Sequence, residues 1–458
     1  MTLGGRKTIS RRVVPAVALV GALAMTAACG GGGSADPAAD DSATSGEITW
    51  WGWTPELGVG QQYIDAFNEE YPDITVTYKQ VATADYDSAI RPALASDVGP
   101  DVFNIAPGGG IGSIQAYGDF AIDLSDAAED ALGADWESKL VPLGPEGLTD
   151  ADGALKGLPL GSTFAGTLWI NPDLFAEHGQ TVPTTLEEWI STCEAFAAAG
   201  VTCFAHGGAD NGFNQDLIHA IAESIEPGAW AAAVEGDGEW TDPTIVEAFT
   251  IYQDMFDNGI IGEGSLGMQQ YPDVNNQFIS GGAAMVLMGT WYMQYSTLDG
   301  ATAAVDASGV AGAEPFPIVA AEFPDMTGDG NPAPLFGDAD YGLAVAAKSD
   351  YPEAATTFVT WLTTSEAAQQ TVANALNDTP SLASITPGWE DIELVDADQQ
   401  QEVLAELIER SNSVTDPRLG NVDTATGQAI GAAIQAVATK SQTPQAALET
   451  LASSVAGS

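Results

Sequence analysis

Basic residues are scarce in this chain. It carries 12 Lys and Arg against 64 Asp and Glu, a formal net charge of -52 over 458 residues. Four of the bases (Arg6, Lys7, Arg11, Arg12) precede Cys29, a stretch without acids, so the rest is more acidic still. Such a surface repels phosphate backbones, which excludes nucleic-acid binding. Histidine is nearly absent too. His178, His206 and His219 are not spaced as a zinc site, and His219, inside an apolar helical stretch, reads as a core residue. There is no G-x-S-x-G elbow and no sensible Cys-His pair, so nucleophilic catalysis has no support. The glycine-rich "AHGGADNG" and "APGGGIG" lack the Gly-Lys-Ser/Thr of a phosphate loop and read as turns. "DMTGDG" from Asp325 imitates a calcium loop, but Thr327 stands where an acid belongs and the twelfth position is Phe336. Neither metal nor cofactor is expected, and the chain is not expected to be an enzyme.

The first residues read as an address. Arg11 and Arg12 precede "VVPAVALVGALAMTAAC", too short to span a membrane comfortably as a mature helix. Ala27-Ala28-Cys29-Gly30 resembles a bacterial lipoprotein signal, with residues 1–28 as signal peptide and Cys29 lipidated, although Thr26 stands where that signal usually has an aliphatic residue. Ser10-Arg11-Arg12 hints at twin-arginine export and Pro15 speaks against it, so both the Sec and the Tat route stay open. Residues 29–46 are small, polar and acidic, as a flexible tether would be. The expected place is the extracytoplasmic face of the cell membrane, held by a lipid anchor.

Two cysteines remain. Cys193 sits on a helix with Thr185 and Glu188 at its start and Gly200 at its end, and Cys203 lies in the next strand, "VTCFA". Export permits a Cys193–Cys203 disulfide, which would add about 2–3 kcal/mol over so short a loop. Two buried thiols are the alternative.

From Glu47 strands alternate with helices, which predicts an α/β fold with a parallel, doubly wound sheet and ligands beyond the strands' carboxyl ends. "EITWWGWTPEL" places three indoles at one such end: Trp50 and Trp51 are assigned to the two sheet faces, and Trp53 is left free. Trp53, Phe164, Trp230, Tyr271, Trp291 and Tyr341 fall where elements end, whereas Trp50, Trp169, Trp189 and Trp361 fall mid-element and read as core.

Three blocks, in order, are similar to the family 1 extracellular solute-binding proteins of ABC importers: the stretch "GLPLGSTFAGTLWINPDLF" through "VTCFAHGG", then "FISGGAAMVLMGTW", then "YGLAVAAKSDYPEAATTFVTWLTTSEAAQQ". The resemblance implies a two-lobed periplasmic-binding-protein type II fold with a helical C-terminal segment. Three crossings are implied near Leu158–Phe164, Met288–Trp291 and Phe336–Gly342. Residues 47–160 and 290–338 would form the N-terminal lobe, and 161–289 and 339–458 the C-terminal lobe. It implies a monomer that binds a sugar or oligosaccharide between the lobes, partners the permease subunits and performs no covalent chemistry. Carried over by position, the ligand contacts are Trp53, Asn104, Phe164, Asn214, Trp230, Trp291, Asp338 and Tyr341. "APGGGIG" departs from members with a bulky residue after the third strand. A polyamine or other cation on the same scaffold, and a secreted glycoside hydrolase, are the competing functions.

Overall fold

The computed structural model describes residues 41–140, 144–330, 333–418 and 422–456. Cys29, the signal peptide and the tether up to residue 40 lie outside the described residues. Ten strands are found among those described: β1 (Gly46–Gly52), β2 (Ile74–Gln80), β3 (Val102–Ile105), β4 (Leu158–Ala165), β5 (Thr167–Ile170), β6 (Thr202–Ala205), β7 (Ala283–Met288), β8 (Val319–Ala321), β9 (Phe336–Val345) and β10 (Thr379–Pro380). They form two sheets, ordered β10-β4-β9-β3-β1-β2 and β6-β7-β5-β8. β1 runs parallel to β2 and β3, as expected of strands joined through helices. β9 lies antiparallel to β3 and β4, and β5 antiparallel to β7 and β8, so both sheets are mixed rather than parallel. The antiparallel strands enter each sheet from the other lobe, and no crossover helix fixes their direction.

Each sheet has its own apolar core. The first gathers Trp50, Phe67, Tyr86 and Phe103 with Phe358 and Leu362. The second gathers Trp169, Trp189, Phe249 and Tyr292 with Ile434 and Leu448 of the C-terminal helices. Trp50 is fully buried, and Trp51 is half-buried under Lys79, whose Nζ lies 3.3 Å from the ring centroid. Helix Leu186–Ala199 starts where the Thr185 side chain accepts the Glu188 N–H and stops at Gly200 in the left-handed region. Cys193 and Cys203 are bonded to each other, tying this helix to β6.

Core membership corrects the expected lobe boundaries. Residues from Trp291 to Leu335 pack in the second core, although 290–338 was assigned to the first lobe. Residues from Ala339 to Ala375 pack in the first, although they were assigned to the second. Side-chain burial decides this, and order along the chain does not show it. The first crossing lies within β4, between Leu160 of the first core and Phe164 of the second, inside the expected Leu158–Phe164, and Gly166, with φ +95°, then turns the chain into β5. The second falls between Phe336 and Ala339 in β9. The third follows β10, the edge strand of the first sheet, and precedes Trp389, which packs in the second core; it is not at Met288–Trp291, which stays within the second lobe.

Residues 41–46, assigned to the tether, are docked on the body. The Asp41 carboxylate accepts the N–H groups of Glu353 and Ala354 at 3.2 and 3.1 Å, at the N-terminus of helix Pro352–Thr364. Unpaired amides and the helix dipole favour an anion there.

Candidate functional site

A cleft of about 1450 Å³ lies between the lobes. One wall comes from the carboxyl ends of β1, β2 and β3 and from Asp340 of β9. The other comes from the start of helix Asn211–Ile225, from Trp230, Tyr271, Trp291 and Tyr295, and from the C-terminal segment at Arg418. Six aromatic side chains and ten Asn or Gln line it, with ten Asp or Glu and one base.

Three of the eight residues proposed from sequence line this cleft: Trp53, Trp230 and Trp291. Trp53 rests edge-on against Tyr86 and Tyr341, with centroids 4.8 and 5.9 Å away. The glycine-rich loop makes room for it. Gly112 has φ +62°, and a Cβ there would come 2.5 Å from the indole. Trp230 packs edge-on against Trp240. Trp291 donates its N–H to Tyr271 Oη at 3.2 Å.

The other five lie behind the walls. Asn104 is fully buried and committed, accepting from Trp50 Nε1 at 2.8 Å and donating to the Thr54 carbonyl at 2.7 Å. Asn214 is committed too, bonding His206 Nε2 at 2.8 Å, Tyr252 Oη at 2.9 Å and the carbonyls of Gly208 and Asp210. It holds the loop that carries the second wall. Burial in this network lowers the His206 pKa to about 4, although the Asn214 hydrogen bond opposes the shift. Phe164 packs in the second core. Tyr341 is fully buried and supports Trp53. Asp338 is buried beside the cleft.

Asp340 lines the cleft instead of its neighbours because β9 is irregular there. Ser162 pairs with Ala339 and Gly161 with Tyr341, which leaves Asp340 without a β4 partner. Such a bulge re-aims one side chain. Thr163 Oγ1 donates to the Asp340 carboxylate at 3.1 Å. Burial raises the Asp340 pKa, while Arg418 and Thr163 pull it down. Burial and the Asp340 charge push its neighbour Asp378 well above the usual carboxylate range.

Sequence reasoning missed Arg418 altogether. Its Nε and Nη2 donate to Asp216 Oδ1 and Oδ2 at 3.0 and 2.8 Å. Its guanidinium lies 4.5 Å from the Trp291 ring and 5.6 Å from Phe213. Burial lowers its pKa, but the carboxylates of Asp216, Asp340 and Asp338 more than offset this and hold it above the ordinary value. Rarity was the available signal: after Cys29 only eight bases remain. Across the cleft, Tyr295 Oη donates to Glu56 Oε1 at 3.4 Å, and Gln294 Nε2 donates to Asn377 Oδ1 at 2.8 Å.

The Asp325 carboxylate is occupied by its own loop, accepting the Gly328 and Gly330 N–H groups at 2.8 and 2.6 Å. Among the described residues no three His, Cys, Asp or Glu are grouped to hold a metal, and no helix is long and apolar enough to cross a membrane.

Residues 53–369 match the model of the bacterial extracellular solute-binding protein family. No curated protein matches the sequence. Three solved structures share the fold. One, from work on xylan utilization by the thermophilic bacterium Caldanaerobius polysaccharolyticus, is 20% identical with TM-score 0.69, covering 89% of this chain and 100% of that one. Maltose-bound MalE3 of T. maritima is 19% identical with TM-score 0.67, covering 90% and 99%. The GacH receptor of Streptomyces glaucescens, solved unliganded and with acarbose, is 18% identical with TM-score 0.65, covering 90% and 98%.

Proposed function

We propose that this chain, which belongs to the bacterial extracellular solute-binding protein family, captures an oligosaccharide between its lobes and delivers it to the permease of an ABC importer. It does so as a monomer held to the outer leaflet through lipidated Cys29. The lining of the cleft carries this proposal: six aromatic faces beside ten side-chain amides. A pyranose has an apolar C–H face and a rim of hydroxyls. Indole covers the first, and amides both donate to and accept from the second. The volume suits several sugar units rather than one, being larger than the usual 300–1,000 Å³ of a small-molecule pocket.

Binding drives closure because only the closed state lets both walls touch one ligand. Trp53 approaches from the first lobe, Trp230 and Trp291 from the second. The permease then reads the closed shape. Maltose, xylan and chitin oligosaccharides and stachyose, screened by thermal shift, test this directly, since a ligand that binds only the native state raises the melting temperature. At least one saccharide is expected to stabilise the protein and to be recovered uncleaved. Stabilisation by spermidine but by no saccharide would overturn the proposal, as would turnover of any saccharide at a catalytic rate.

A further inference from the structure

Arg418 is the only base lining the cleft among the described residues. It sits in a complete receptor for a cation. Trp291 and Phe213 offer ring faces to the guanidinium at 4.5 and 5.6 Å, and Asp216 grips it with both oxygens. Asp340 lines the same cleft, and Asp338 and Asp340 both act on the guanidinium electrostatically. Aromatic faces around a carboxylate are the chemistry that recognises organic ammonium and guanidinium groups. Here the chain fills that receptor with its own side chain. The planar fork matches the carboxylate in two bonds, and the charge stays on at any physiological pH.

We infer that Arg418 is a specificity determinant: by occupying an aromatic and carboxylate cage of the cleft, it denies polyamines their best-formed cation site and leaves the rest of the cleft to neutral saccharides. The inference rests on the oligosaccharide function proposed above. Two consequences follow from the geometry. The guanidinium covers ring faces that a foreign cation would need. It also neutralises Asp216, which is buried and would otherwise seek a counter-ion. Without the Arg418 charge, the Asp216 and Asp340 carboxylates and the two rings form an open cation site.

The test uses the whole protein and spermidine, followed by thermal shift and calorimetry. Wild type is expected not to respond. R418A is expected to gain spermidine affinity by about tenfold or more over wild type, with methylguanidinium giving a parallel, weaker stabilisation. R418K keeps a cation in the cage and is expected to stay unresponsive. R418A/D216N, which removes both charges of the pair, is expected to lose most of the gain. If R418A melts too low to titrate, R418Q, which can still donate one amide bond to Asp216, carries the same measurement. The inference is overturned if the folded Arg418 variants bind spermidine no better than wild type, if R418K gains as much as R418A, or if wild type itself takes spermidine. The saccharide screen on wild type is read separately. Its failure would remove the sugar ligand, whereas a missing spermidine gain would remove only the role of Arg418.

Discussion

The two walls of the cleft are built unequally. The first lobe contributes a single aromatic, Trp53, on short loops that follow parallel strands, together with Glu56 and Asp340. The second contributes Phe213, Trp230, Tyr271, Trp291 and Tyr295, with Arg418 clamped among them. The second wall is thus a pre-assembled platform, and the first is a cover with one plate. Under the proposed function, a ligand would find most of its stacking surface already in place on the second lobe. The first lobe would then add hydrogen bonds and enclose it.

Removing one indole from each wall is the most direct way to break this comparison. W291A deletes a ring face, leaves Tyr271 Oη without its donor and frees Arg418 from its stack. Saccharide affinity should fall about 100-fold or more, by analogy with central aromatic anchors at interfaces. W53A deletes one supported plate from the cover and should cost only about tenfold. Calorimetry on both variants decides the matter, and equal losses would remove the asymmetry.

The lobes should also respond to pH in opposite senses. His206, in the second lobe, has its folded pKa lowered from 6.5 to about 4. Below pH 6.5 the unfolded chain binds the proton that the folded chain refuses, so stability is lost as pH falls through that window. The full effect is roughly 2–4 kcal/mol. Asp378, beside β10 in the first lobe, has its folded pKa raised. From about pH 4 upward the folded chain keeps a proton that the unfolded chain releases, so this contribution fades as pH rises toward the folded pKa. Thermal denaturation of H206Q between pH 4 and 7 should show a flattened acid limb relative to wild type, and D378N a flattened limb above pH 4. A variant whose profile merely shifts, without changing slope, would argue against the assignment.

The disulfide gives the smallest contrast. C193S/C203S should lose about 2–3 kcal/mol in denaturant unfolding, from a loop of sequence separation 10. Saccharide affinity should stay within about twofold, because neither cysteine lines the cleft. A larger affinity loss would show that the second platform depends on helix Leu186–Ala199.

Local signals were the ones that sequence displayed well. The helix that starts at Thr185 begins where its capping residue places it. The division of labour among Trp50, Trp51 and Trp53 follows from strand alternation. What stayed hidden depends on distant partners. Asn104 and Asn214 have the right chemistry for hydroxyls, but backbone carbonyls and buried side chains consume it. Asp338 and Tyr341 bracket the residue that lines the cleft, because a bulge in β9 shifts the alternation and no pattern in "FGDADYG" announces it. Arg418 approaches from a C-terminal segment about 200 residues beyond Asp216, and sequence spacing carries no trace of that meeting. The lobe boundaries failed for the same reason: apolar periodicity shows that a helix has a buried face but not which core receives it.

The docking of Asp41 on helix Pro352–Thr364 has a mechanical consequence. Any force on the chain ahead of Asp41 enters the molecule through the first lobe's own frame, at a rigid helix end, and bypasses all three crossings. With the lipid anchor proposed at Cys29, the single-plate half would be the stationary jaw and the aromatic half the one free to swing.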